Sequence, residues 1–345
     1  MTTLHTPKIG FACKWIDNAT QVDGIGPKDD ARKYSTGTTT IAWLNRQSVD
    51  VAEQKLWDLT KQNLQNVLNL VLKVSTLPEG LRMVRLSSEI LPVYTHADWS
   101  YFYKRPDILK LMEYCFAKIG EVARTNNVRL SFHPGQFTVL ASENAGIVNN
   151  SIDEFEYHAD MARMMGYGKT FQDFKINVHI SGKLGPEGIR AAYNRLSPEA
   201  RNCITIENEE NAWGLDDALS LSDLLPIVLD VHHHWCREGE YLDPSDDRVK
   251  RVIDSWRGIR PTMHYSLSRE DYLIDHATSV KPDMDKLKDL GYKKAKLRAH
   301  SDFYWNTAAN DWVLGYLPTH DIMCESKAKN LASFSLYEAS KQIYA

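Results

Sequence analysis

The segment Val128-Arg-Leu-Ser-Phe-His-Pro-Gly-Gln-Phe137 carries the clearest sign of the architecture. Val128 to Phe132 reads as a short strand, which ends in His133-Pro-Gly-Gln-Phe137 and is followed by a helical stretch near 147–165. The same strand-then-helix unit recurs on both sides. Upstream, Lys8 to Phe11 and Met83 to Ser87 read as strands. Between them, Asp50 is expected to cap a helix with Glu53 as its capping-box partner, and Leu64, Leu68 and Val71 continue the stripe. Residues 107–126 place Ile108, Met112, Cys115, Ile119 and Val122 at helical spacing. Downstream, strands are expected at Lys175–His179, Cys203–Ile206, Pro226–Asp230, Pro261–His264 and Asp321–Cys324. Helices are expected near 186–201 and from about 327 to 344. Eight strands alternating with helices predict an α/β fold, a closed parallel (β/α)8 TIM barrel. An open doubly wound sheet would carry a Gly-rich first turn, and Gly24-Ile-Gly26 lacks both the third glycine and the preceding strand. We therefore expect one domain over residues 1–345, with insertions near 16–47 and 267–299. The second is basic from Lys281 to Arg298, and its plain reading is a solvated helix face, its sharper one a flap that touches phosphates.

Composition narrows the function. The chain has 345 residues, of which 43% are hydrophobic, so a disordered tail protein is excluded. No apolar run reaches the roughly 18 residues of a membrane span, and Met1 to Lys8 lacks the apolar core of a secretory signal. With 41 Lys+Arg against 45 Asp+Glu the net charge is -4, which argues against a histone-like coat on nucleic acid. It leaves room for a nucleic-acid enzyme that takes positive charge from bound ions. The five cysteines are scattered without a C-x-x-C, as free thiols in a reducing compartment would be.

In such a barrel the chemistry lies at the C-terminal ends of the strands. Six of the twelve histidines fall at or just beyond strand ends, with acids beside them. The candidate metal ligands are His96, His133, Glu207, Asp230, His233, His264, His300 and Glu325. Imidazole mixed with carboxylate suits Zn, Mn or Fe better than an all-oxygen Ca or Mg cage. Eight candidates are enough for two or three ions, and clustered divalent ions are the usual apparatus of phosphodiester hydrolysis. His5, His158, His276 and His320 are expected to be structural. Of His232 and His234, which flank His233, at most one is expected to touch the site. A Ser-His-Asp hydrolase would carry a G-x-S-x-G elbow, which this sequence lacks.

At these residues the chain resembles the ultraviolet damage endonuclease family, relatives of endonuclease IV and of xylose isomerase-like barrels. The resemblance rests on Arg85-Leu-Ser-Ser-Glu-Ile-Leu-Pro92 with His96, Ser131-Phe-His-Pro-Gly-Gln-Phe137, Val178-His179, Ile206-Glu-Asn-Glu-Glu210 and Leu229-Asp-Val-His-His233. It continues through Ser255-Trp-Arg-Gly258, Met263-His264, Ala299-His300 and Cys324-Glu-Ser-Lys-Ala-Lys329. It implies a metal-dependent DNA repair endonuclease that cuts the strand immediately 5′ to cyclobutane pyrimidine dimers and 6-4 products, leaving 3′-hydroxyl and 5′-phosphate ends. By the resemblance Glu207 bridges two ions, His96 and His133 hold one, Asp230, His264 and Glu325 the other, and His233 and His300 a third. Glu207, His179 and Glu325 are the candidate catalytic residues. Gln136 and Phe137 match the residues that probe the lesion, with Phe11 and Trp15 as further candidate contacts. A damaged dinucleotide stacks poorly, so extruding it costs less than the few kcal/mol of flipping sound bases.

The chain departs from the family pattern in four places. Phe137 replaces a tyrosine, Thr262 replaces a lysine two residues before the strand-7 histidine, Phe11 and Trp15 replace Tyr and Asn, and the span from His264 to His300 is longer. The expected cofactors are two or three divalent ions, manganese first, with Zn, Mg or Co as alternatives. The expected partner is damaged double-stranded DNA, bound by a monomer in the cytoplasm at the nucleoid, with no membrane. The alternatives are an abasic-site endonuclease of the endonuclease IV type, a sugar isomerase on the same barrel and a non-catalytic lesion-binding protein.

Overall fold

The computed structural model describes residues 6–17 and 31–344. Eight strands form one parallel sheet: β1 (Ile9–Ala12), β2 (Met83–Arg85), β3 (Arg129–Phe132), β4 (Lys175–His179), β5 (Ile204–Glu207), β6 (Ile227–Val228), β7 (Thr262–Tyr265) and β8 (Asp321–Cys324). Their order is β6-β5-β4-β3-β2-β1-β8-β7. The two ends meet through a parallel bridge between Asp230 and His264, and His264 N–H donates to Leu229 O at 2.9 Å. The result is the (β/α)8 barrel that the strand spacing predicts, with every strand within one or two residues of its expected place.

The helices, in chain order, are α1 (Ile41–Leu44), α2 (Val49–Ser75), α3 (Pro106–Thr125), α4 (Ala145–Met164), α5 (Gly185–Tyr193), α6 (Pro198–Cys203), α7 (Leu215–Leu219), α8 (Val231–Glu238), α9 (Asp247–Ser255), α10 (Met284–Asp289), α11 (Lys294–Leu297), α12 (Thr307–Leu314) and α13 (Lys329–Tyr344). Ile108, Met112 and Ile119 of α3 are fully buried, as the stripe requires. Two local expectations are corrected. The helix near 186–201 is two helices, because Pro198 has no N–H to continue α5 and Ser197 instead caps α6 by accepting from Ala200 N–H. Ser48, not Asp50, precedes the first turn of α2. Glu53 reaches sideways to the Tyr101 hydroxyl and the Arg105 guanidinium rather than back to a capped N–H.

Of the first insertion, residues 18–30 lie outside the described residues. The remainder is pinned to α2: Asn63 Oδ1 accepts from Gly37 N–H at 2.7 Å, and Asn66 Nδ2 donates to Ser35 O at 2.8 Å. The second insertion is tied at its neck by an antiparallel bridge between Ser268 and His300. It has a small core of its own, in which Leu273, Met284, Leu287 and Leu297 pack on Trp235 and Cys236 of α8. Part of its basic charge is spent locally, Lys286 on Asp283 and Lys288 on Asp285, which favours the solvated-face reading. All five cysteines are free thiols. Among the described residues no helix is long and apolar enough to cross a membrane.

Candidate metal centre

Residues two apart on a strand share a face. In β4 this puts Lys175, Asn177 and His179 into the barrel, with Ile176 and Val178 packed outward. Glu207 at the end of β5 is fully buried and sits where several side chains converge. Its Oε1 lies 3.0 Å from His264 Nδ1 and 3.5 Å from His233 Nδ1, and its Oε2 lies 3.2 Å from His133 Nε2. Asn177 Nδ2 donates to Oε2, and Asn177 Oδ1 accepts from the Thr205 hydroxyl at 2.8 Å. Glu325 Oε1 is 3.3 Å from His264 Nδ1 and paired with the Arg85 guanidinium. Asp230 caps α8: its Oδ1 accepts from His233 N–H at 2.7 Å, and Asn208 clamps its backbone with two bonds of 2.9 Å.

Three groups here have donor atoms close enough to share an ion: His133, Glu207 and His264; His179, Glu207 and His233; and Glu207, Asp230, His264 and Glu325. Glu207 belongs to all three. Asp230 Oδ2 is buried and has no hydrogen-bond partner among the described residues. His233 Nδ1 is 3.8 Å from it, beyond hydrogen-bond reach, and a buried carboxylate oxygen left without a hydrogen bond is costly. That orphan, together with a donor set of imidazoles and carboxylates, fits divalent cations.

The electrostatics agree. Burial lowers the pKa of His133 and His264 and takes His179 down to about 4, so these imidazoles are neutral, the form that binds metal. Burial pushes Asp230 well above the usual carboxylate range. Burial works against the charged forms of Glu207 and Glu325 too, but His264 and His179 for the first, and Arg85 and His264 for the second, hold both well below it. For His233 burial lowers the pKa, yet Asp230, Glu207 and Glu210 together outweigh it and raise it to about 9.

The other predicted residues are placed as follows. His300 Nδ1–H donates to Glu325 O at 2.7 Å, beside the groups rather than in them. His96 stands apart, in a cavity of about 800 Å³ that it lines with Gly135, Phe137, Asp153 and Glu154. Phe137 is 86% exposed, unusual for a phenyl ring, so it is not a core aromatic. Phe11 and Trp15 are different. Both are buried, stacked edge-on at 5.8 Å, with Trp15 also against Phe334 and under Lys73. With no ring face left to solvent, neither is placed to stack on a base, and the expected lesion contact is corrected to core packing.

The remaining described histidines lie outside the three groups. His158 is buried with Nδ1 on Glu154 O, and His276 and His320 bond within their own loops. His234 turns to Glu240, and His232 alone approaches the site, its ring 5.7 Å from that of His300. His5 lies outside the described residues. Sequence reasoning passed over Lys175 and Asn177. Their signal was legible: a buried parallel strand normally reads as a continuous apolar run, and Lys-Ile-Asn-Val-His does not.

The fold and the site thus define a (β/α)8 barrel whose strand ends converge on a buried nest of histidines and carboxylates. A family profile described as "UV-endonuclease UvdE" matches residues 8–344, and the chain belongs to that family, one of endonucleases by its description. A UV-damage endonuclease of Schizosaccharomyces pombe is 28% identical over 343 residues, covering 95% of this chain, which spans half the length of that relative. A UV DNA damage endonuclease of Bacillus thuringiensis is 26% identical over 317 residues, covering 89% of each chain. Among solved structures, that titled "Crystal Structure of SacUVDE" superimposes with a TM-score of 0.67 at 23% identity, covering 90% of this chain and 93% of the other, which bears on the fold.

Proposed function

We propose that this chain is a metal-dependent DNA repair endonuclease that nicks the strand immediately 5′ to ultraviolet photoproducts, leaving 3′-hydroxyl and 5′-phosphate ends. The observation that carries the reading is Glu207, common to all three candidate ion groups, with the orphaned Asp230 Oδ2 beside it. Glu207 would be shared between ions, with His133 and His264, Asp230 and Glu325, and His179 and His233 completing the groups. Bound divalent ions supply two things to phosphodiester hydrolysis: water acidified to near neutral pH and charge that offsets the transition state. The chain's own residues do the rest. Asn177 fixes Glu207, Asn208 fixes Asp230, and Arg85 holds a positive charge beside Glu325 at the cluster. Phe137, exposed on the Pro134-Gly135 loop, offers a ring to fill the stack that an extruded lesion vacates. Gln136 beside it adds an amide.

On this reading residues 1–345 form one barrel domain that acts on damaged duplex DNA as a monomer, with manganese its first metal. The test is nicking of supercoiled plasmid, irradiated or depurinated, in chelator and after adding back Mn, Zn, Mg or Co. The expected outcome is nicking of irradiated plasmid that chelator abolishes and a metal restores. Nicking confined to depurinated plasmid would favour an abasic-site enzyme instead. Binding to lesions with no nicking under any metal would favour a sensor. Indifference to all DNA would point to a small-molecule reaction such as sugar isomerisation.

A further inference from the structure

We propose that Lys175 is a positioning residue for the candidate divalent-cation site, reaching across the barrel from β4 to set the ring of His264 on β7. The inference rests on the metal reading given above and goes one layer beneath it. Lys175 Nζ lies 3.0 Å from His264 Nε2, and both side chains are buried. The opposite nitrogen of the same ring, Nδ1, faces Glu207 Oε1 at 3.0 Å and Glu325 Oε1 at 3.3 Å. The two ring nitrogens are therefore allotted, one to the carboxylates and one to the amine, and rotation of the ring would break both sets of contacts. A ligating histidine commonly has its second nitrogen held by a carboxylate, a carbonyl or a water, and losing that partner typically weakens metal binding about 10–100-fold. Here the hydrogen-bond partner of Nε2 among the described residues is an amine from the opposite wall.

An amine in a barrel lumen is expensive to bury and needs a compensating contact. Lys175 has its hydrogen-bond contact in the imidazole rather than in a carboxylate. Thr262, two residues before His264 and on the same face of β7, is short and also buried. The layer below the carboxylates is thus polar by design of the sequence: Lys175, Asn177 and Thr205 all point inward and each supports a neighbour in the layer above or beside it.

The test compares the wild type with Lys175→Met, which removes the nitrogen at similar length, and Lys175→Gln, which keeps polar atoms there. Each full-length protein is stripped of metal and titrated with Mn²⁺, free ion being followed by electron paramagnetic resonance, and the thermal midpoint of the metal-free protein is recorded in parallel. We expect Lys175→Met to weaken at least one ion about 10–100-fold, with a metal-free midpoint no lower than wild type, and Lys175→Gln to recover most of the loss. Unchanged stoichiometry and affinity in Lys175→Met would overturn the proposal. So would a Lys175→Met protein that melts early or fails to fold, since that is a structural role. A wild type that binds Mn²⁺ but leaves irradiated DNA intact would count against the proposed function alone.

Discussion

Replacing Glu207 with Gln tests the centre of the arrangement. The change is isosteric, and the new amide can still present its oxygen to Asn177 Nδ2, so the metal-free fold should stand. What it removes is the one carboxylate common to all three ion groups. Two magnitudes follow. Unfolding entropy of about 2.1 cal/mol/K per residue gives roughly 0.7 kcal/mol/K for a chain of 345 residues. An ion present at 100 times its dissociation constant stabilises the fold by about 2.7 kcal/mol, so each ion should raise the melting temperature by about 4 °C. Glu207→Gln should lose most of that rise while melting like the wild type without metal. For the reaction, losing several kcal/mol of charge stabilisation, about 4, corresponds to a roughly thousandfold slower nick. The assays are scanning fluorimetry across a Mn²⁺ series and conversion of irradiated supercoiled plasmid to the nicked form. A variant that keeps the full Mn²⁺ shift and nicks within tenfold of the wild type would refute the assignment of Glu207 as the shared ligand.

Three further outcomes are expected. Phe137→Ala should leave the melting temperature almost unmoved, because the ring is 86% exposed, yet weaken binding to irradiated duplex by about 1–3 kcal/mol of lost stacking, read by fluorescence anisotropy. An equal loss on undamaged duplex would contradict the probe role. His158 and His320 are buried outside the three ion groups, and burial takes them down to about 4 and about 3. Both are neutral in the fold but take up protons when unfolded below about 6.5, so the unfolded state binds more protons there. Stability should be complete above that pH and fall by up to about 1.4 kcal/mol per unit for each as acid is added. A urea midpoint of metal-free protein that stays level between pH 7 and 5 would count against it. Finally, His233, which Asp230, Glu207 and Glu210 together raise to about 9 against its burial, carries a proton at neutral pH when no metal is bound. Metal uptake should therefore release protons and tighten as pH rises toward 9. Calorimetric titration in buffers of different ionisation enthalpy would show this, and no buffer dependence would disprove it.

The strands were legible because each is a short segment with apolar residues next to a helical stretch, and His133, His179, Glu207, Asp230 and His264, at or just beyond their ends, marked the place of the site as well. Helix ends were less legible. α2 starts after Ser48, with no side-chain cap bond and with Asp50 inside its first turn, and Pro198 broke a stretch whose apolar pattern runs on because it lacks one backbone N–H. Exposure of an aromatic is a tertiary property, so the sequence could not separate Phe137, on a loop in solvent, from Phe11, whose strand position points it into the core. His96 illustrates the same limit: it follows a strand in the chain but lies at the cavity beside Phe137, outside the three groups.

The net charge of -4 becomes intelligible once the centre is inspected group by group. Glu207, Asp230 and Glu325 lie together at the strand ends, where, on the proposed function, a DNA phosphate would approach. Left bare they would repel it. In the metal-free protein that charge is already answered from within. Arg85 covers Glu325, and a protonated His233 faces Glu207 and Asp230. Exchanging protons for divalent ions leaves the cluster more positive, because each ion carries two charges and Arg85 remains. On the proposed function, the attraction that a basic surface would supply over the whole molecule would then be concentrated where the phosphodiester is cut, and it would appear only when metal is bound.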